Sequence, residues 1–268
     1  MERDGATVRA PEAADWLLSR GIGSITVPDL ARVLGVPDDQ VRRRLHAPAR
    51  RGEWVAPVRG LWVPVPPEYR TWGAPPGIEL VDPMMRHLDA RYHVGWLSAA
   101  AIHGAAHQAP QVFQVAVDRQ VRDRVVGRTH FRFVQRPGAM DLPTVPHPTR
   151  SGSARVTTPE VTALDVATDI RMAGGADNAA TVIIELADDE AFDVAALADL
   201  SSRFPTASGR RVGYVLDHFT DRDDLASLQT ALAERSVGPS RLDPTGPASG
   251  TVDERWDLYL NRDLEPEA

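Results

Sequence analysis

Apolar positions along residues 11 to 65 change period three times, and each change marks an element. Over Pro11 to Arg20, Ala14, Trp16, Leu17 and Leu18 supply the apolar face of an opening helix with proline in its first turn, stopped by Gly21 and Gly23. Ser24 to Thr26 is a short extended piece. Thr26 with Asp29 three residues on is a capping-box-like start, and Leu30, Val33 and Leu34 give a two-turn helix closed by Gly35. Pro37, Asp38 and Asp39 suit the first turn of a third helix, proline by its fixed φ and the acids by the helix dipole. In that helix Val41 and Leu45 face inward while Gln40, Arg42, Arg43, Arg44 and His46 cover the outside. Proline removes a backbone hydrogen bond, so Pro48 predicts that the helix stops near His46. Glu53 to Val65 then alternates around Arg59 and Gly60, the pattern of two strands and a tight turn.

Helix, short helix, turn, basic helix and hairpin is the order of a winged helix-turn-helix. Its third helix fits the major groove, where each base pair shows a distinct edge, and the hairpin reaches phosphate or the minor groove. The alternative is a small helical domain with a solvated arginine face.

Pro64 to Pro83 holds six prolines with Gly73 and Gly77, which predicts a stiff extended linker or clasp. The expected division is a DNA-binding domain at 1–70, a linker at 71–82 and an α+β domain at 83–268. In the last, Val94 to His103 reads as an Ala-rich helix, and Val112 to Val117 and His130 to Gln135 read as strands. Their connection carries Arg119, Arg122, Arg124 and Arg128, either a second phosphate contact or a solvated loop. A strand at Ala154 to Thr158 precedes helices at Pro159 to Met172, Asp177 to Ala187, Val194 to Phe204, Arg210 to Phe219 and Leu225 to Glu234. Strand-like pieces at Val252 to Asn261 follow. The expected fold class is therefore α+β.

Charge changes the picture of the first part. The net charge is −7 over 268 residues, but residues 1–160 carry +5 and residues 161–268 carry −12. Within 41–60, six arginines (Arg42, Arg43, Arg44, Arg50, Arg51, Arg59) oppose Glu53 alone. Such a focused stripe suits a phosphate backbone, although many basic runs are merely solvated. Arginine pairs bidentately with guanine and glutamine with adenine, so Gln40, Arg42, Arg43 and Arg44 are the leading candidates for base contact. Three consecutive arginines fan widely around a helix, so one or two of them hold phosphates instead. His46, Arg50, Arg51 and Arg59 complete the expected interface.

The chain has no cysteine, and all 30 of its basic residues are arginine. That excludes disulfides, thiol nucleophiles, zinc ribbons, the phosphate-loop lysine and Schiff-base chemistry. No G-x-S-x-G, H-E-x-x-H or G-x-G-x-x-G is present. The carboxylates Asp165, Asp169 and Glu185 are the candidates for a metal-dependent nuclease or nucleotidyltransferase, a reading weakened by the missing lysine and their helical spacing. His103 and His107 are four apart, but Gly104 interrupts them and no carboxylate accompanies them, so no metal and no cofactor are expected. Arg210 and Arg211 open a helix where the dipole disfavours cations, which predicts a compensating anion. Asp188, Asp189 and Glu190 are one source, and a bound phosphate is the other. No apolar run approaches the ~20 residues of a membrane helix and the N-terminus is polar, so a cytoplasmic protein without a membrane partner is expected.

Several stretches resemble the AbiEi family of antitoxins from type IV toxin–antitoxin systems. They are "LARVLGVPDDQVRRRLHAPARRGEWVAPVRGLWVP" within Ile25 to Pro64, "GWLSAAAIHG" (Gly95 to Gly104), and "RVTTPEVTALDVATD" (Arg155 to Asp169) with "AGG" (Ala173 to Gly175). "GRRVGYVLDHF" (Gly209 to Phe219) and "RWDLYLN" (Arg255 to Asn261) follow in order. The resemblance implies a non-enzymatic protein that binds double-stranded DNA at an inverted repeat in its own promoter through the winged helix. It further implies an α+β domain that counteracts a nucleotidyltransferase toxin without a stable complex. Pro48 departs from the family's pattern. A ligand-responsive winged-helix transcription factor is the alternative of a different class.

Overall fold

A computed structural model describes residues 7–106, 111–235 and 238–267. The chain divides into two compact units, one of Met1–His93, Gln111–Met140 and Pro146–Arg155, the other of Val94–Pro110, Asp141–Val145 and Val156–Ala268. This division differs from the one expected at 71–82, because the first unit runs on past the proline-rich segment.

The first unit opens with α1 (Ala13–Leu18), β1 (Ile25–Thr26), α2 (Val27–Leu34), α3 (Asp38–Arg50), β2 (Trp54–Val58) and β3 (Leu61–Pro64). The three strands form an antiparallel sheet in the order β1-β3-β2, the sheet of a winged helix-turn-helix. Leu17, Leu30, Leu34, Val41, Leu45 and Trp54 make one core, with Trp62 packed edge-on to Trp54 at 6.3 Å between centroids. Burying each such side chain contributes about 1.5–3 kcal/mol. Thr26 caps α2 by accepting from the Asp29 amide, and Gly35 ends it at φ 64° in the left-handed region where side chains are disfavoured.

The segment expected as a linker is largely structured. A 3-10 helix spans Pro67–Trp72, and α4 (Gly77–His87) follows. Gly77, Leu80, Val81, Met84 and Met85 are buried, a spacing of three and four that lays one apolar stripe along α4. Pro83 costs that helix a single backbone bond, which the stripe offsets.

The first unit also carries most of a six-stranded sheet. Its strands are β4 (Tyr92–Val94), β5 (Val112–Val117), β6 (Arg124–Val126), β7 (Thr129–Gln135), β8 (Thr144–Thr149) and β9 (Gly152–Thr157), in the order β6-β7-β5-β4-β9-β8. β5 and β7 run parallel with Val112 opposite His130, and β6 and β7 form an antiparallel hairpin. The helix expected from Val94 thus begins later, at Trp96, after strand β4.

The second unit is mainly helical: α5 (Trp96–Ile102), α6 (Pro159–Thr168), α7 (Ala176–Ala187), α8 (Val194–Ser201), α9 (Thr206–Phe219) and α10 (Ala226–Ala233). α6 is buried from Glu160 to Ala167 and is its central helix, with Thr158 as N-cap. A small sheet of β10 (Ser240–Arg241), β11 (Thr251–Asp253) and β12 (Leu258–Leu260) completes it. Both units mix helix and sheet, so the fold class is α+β.

Candidate nucleic-acid interface

Gly35, Val36 and Pro37 turn the chain between α2 and α3, and this pair of helices is the core of the candidate interface. α3 is longer than its proline suggested, running to Arg50 with Pro48 inside it. The reason is position: Pro48 sits in the last turn, so little of the helix lies beyond the bond it removes. Its carbonyl also accepts from the Arg51 and Glu53 amides, at 3.1 Å each, as the chain leaves the helix.

Val41, Leu45 and Pro48 face the core, while Arg42, Arg43, Arg44, His46 and Arg50 are exposed. Gln40 is half-buried, and its amide oxygen accepts from Arg43 Nη2 at 3.2 Å. Among the described residues, Arg42, Arg44 and Arg50 have no carboxylate within ion-pair distance. Arg51 differs: its guanidinium grips Glu53 through two bonds of 2.7 and 3.1 Å, so its charge is already met. Arg59 is exposed at the hairpin turn, next to Gly60 at φ 89°. The structure thus brings Arg42, Arg43, Arg44, His46 and Arg50 onto one helix and leaves Arg59 on the wing. An exposed, largely unpaired set of arginines on one helix is suited to polyanion contact.

Arg210 and Arg211 lie inside α9 rather than at its first residue, and both are buried. Arg210 donates to the Gly238 carbonyl at 2.7 Å and the Ser240 hydroxyl at 2.9 Å, and pairs with Asp257. Arg211 donates to the carbonyls of Arg241 and Leu242 at 3.0 Å each and of Ala167 at 2.9 Å. Burial pushes the Arg211 guanidinium down to about 10, with the nearby Asp243 charge opposing the shift. The compensating carboxylate is therefore Asp257, where the sequence pointed to Asp188, Asp189 and Glu190. These two arginines are clamps on the C-terminal segment.

His103 Nε2 bonds the Thr157 carbonyl at 2.7 Å, and His107 lies outside the described residues. Asp165 is buried on α6, Asp169 ends that helix and Glu185 is on α7. Among the described residues no group of three or more His, Asp or Glu is placed to hold a metal ion. No helix among them is long and apolar enough to cross a membrane.

Residues 93–218 match the AbiEi antitoxin C-terminal domain. The matched region takes in α5 to α8 and α9 as far as His218, and no curated protein matches the chain. Among solved structures, the RV2827C protein from Mycobacterium tuberculosis is similar with a TM-score of 0.67 and 21% identity, over 95% of this chain and 92% of that one. At that identity the likeness concerns the fold, and it extends beyond residues 93–218 to the winged helix.

Proposed function

We propose that this chain is a DNA-binding antitoxin that represses its own type IV toxin–antitoxin operon and counteracts a nucleotidyltransferase toxin in the cytoplasm. The observation that carries the DNA half is the exposed arginine face of α3, set on a helix that a helix-turn-helix presents to the major groove. The match of residues 93–218 to the antitoxin domain supports the other half. α3 reads only a few base pairs, so two copies bind an inverted repeat upstream of the operon to reach useful specificity. The AbiEi region acts on toxicity without a stable toxin complex, and the protein performs no catalysis and needs no cofactor. We place the functional division at residues 71–82, with DNA contact in 1–70 and antitoxicity in 83–268.

Footprinting of the upstream DNA at physiological salt tests the repressor reading; a promoter without a protected site would overturn it. Co-expression with the neighbouring toxin tests the antitoxin reading, with growth as the readout. Full-length protein bearing Arg43→Ala and Arg44→Ala loses repression and keeps rescue if the two activities are separate.

A further inference from the structure

The wing is held by side chains from outside the winged helix. Its turn is Arg59–Gly60, and three carbonyls around that turn are occupied. His87 Nε2, in the last turn of α4, lies 2.9 Å from the Arg59 carbonyl. A carbonyl only accepts, so the ring carries its proton on Nε2 and donates. A Cβ on Gly60 would come within 3.2 and 3.3 Å of this same ring, so space as well as φ favours glycine there. The Gly60 carbonyl accepts from the Val27 amide at 3.0 Å. On the other limb the β2–β3 register slips between Val55 and Val58, and there the Pro57 carbonyl accepts from Arg124 Nη1 at 3.1 Å. Arg124 is itself fixed, since its Nε and Nη2 donate to the Arg122 carbonyl at 3.3 and 3.2 Å and its guanidinium lies 5.6 Å from the Phe133 ring.

The backbone of the wing is therefore pinned by α4, by the start of α2 and by β6, while the Arg59 side chain stays exposed. A turn that must be ordered on binding costs entropy, and a turn already ordered does not. We propose that His87 and Arg124 are positioning residues for DNA binding, presetting the wing so that Arg59 meets a phosphate. The proposal rests on the DNA-binding reading above.

The test is a double-mutant cycle in the full chain, measuring affinity for a random-sequence DNA duplex over a range of salt. Arg59→Ala should reduce the slope of log affinity against log salt by about 0.9, the value for one phosphate. His87→Ala should weaken binding about three- to tenfold when Arg59 is present and have no effect in the Arg59→Ala background. His87→Gln, whose amide nitrogen replaces Nε2 as donor, should restore wild-type affinity. Equal losses in both backgrounds, no loss at all, or a Gln variant as weak as the Ala variant would overturn the proposal. Should His87→Ala fail to fold, Arg124→Lys, which keeps the charge and loses the forked geometry, is put through the same cycle and decides the question by the same criteria. Failure of Arg43→Ala and Arg44→Ala to weaken binding would instead overturn the DNA-binding reading itself.

Discussion

Gly213 and Trp256 meet so closely that no side chain fits between them: a Cβ built on Gly213 would fall under 3.0 Å from three carbons of the indole ring. The ring is held in place, since Trp256 Nε1 donates to Asp217 at 2.9 Å one turn further along α9. Two stretches that carry the family resemblance, Gly209 to Phe219 and Arg255 to Asn261, thus form one packed contact.

Gly213→Ala should therefore destabilise the protein. Alanine gains about 1 kcal/mol of helix propensity over glycine, but forcing the ring aside costs about 1–3 kcal/mol or more. A lowered Tm in thermal unfolding checks this. The loss should shrink when Trp256 is already replaced by Ala, because the clash is then gone.

Arg211→Met should be more damaging. It leaves the carbonyls of the buried residues Ala167 and Leu242 without the donor that now serves them, and each unsatisfied buried group costs about 1–3 kcal/mol. Denaturant unfolding gives the measurement, and a midpoint equal to that of wild type would refute the clamp.

Arg43→Ala or Arg44→Ala, if the residue reads guanine, should weaken specific binding by about 1–3 kcal/mol and relax sequence preference. An arginine that holds phosphate lowers affinity for all sequences alike. Competition between operator and random duplexes separates the two roles.

His93 on β4 is fully buried with neither ring nitrogen hydrogen-bonded to a described residue, and burial, with the charges of Arg136 and Arg155 adding to it, pushes its pKa down to about 3. Between about pH 6.5 and 3 the unfolded chain binds a proton that the folded chain refuses. Stability is therefore complete above pH 6.5 and falls as the pH drops, by about 1.4 kcal/mol per unit. His93→Leu should flatten that part of the stability curve, measured by denaturant unfolding at several pH values. An unchanged acid slope would show that the group does not titrate as its burial dictates.

What the chain alone determined is local. Thr26 and Asp29 set the start of α2, Gly35 its end, and the spacing of Val41 and Leu45 the buried side of α3, because caps and periodicity act within a few residues. The identity of the arginine face followed directly, since whatever lies opposite Val41 and Leu45 on that helix faces solvent. The family resemblance was legible for the same reason, as short contiguous stretches. Tertiary structure decided the rest. Prolines made residues 71–82 read as a linker, yet burial of Leu80, Val81, Met84 and Met85 turned their neighbourhood into a helix. Arg210 and Arg211 found their partners 28 to 47 residues along the chain, at Gly238, Ser240, Arg241, Leu242 and Asp257, and 44 residues back at Ala167. The brace on the wing joins His87 to Arg59 and Arg124 to Pro57 across 28 and 67 residues. Neither the pattern of polar positions nor local propensity encodes such pairs, because a hydrogen bond between distant residues exists only once packing has brought donor and acceptor within about 3 Å.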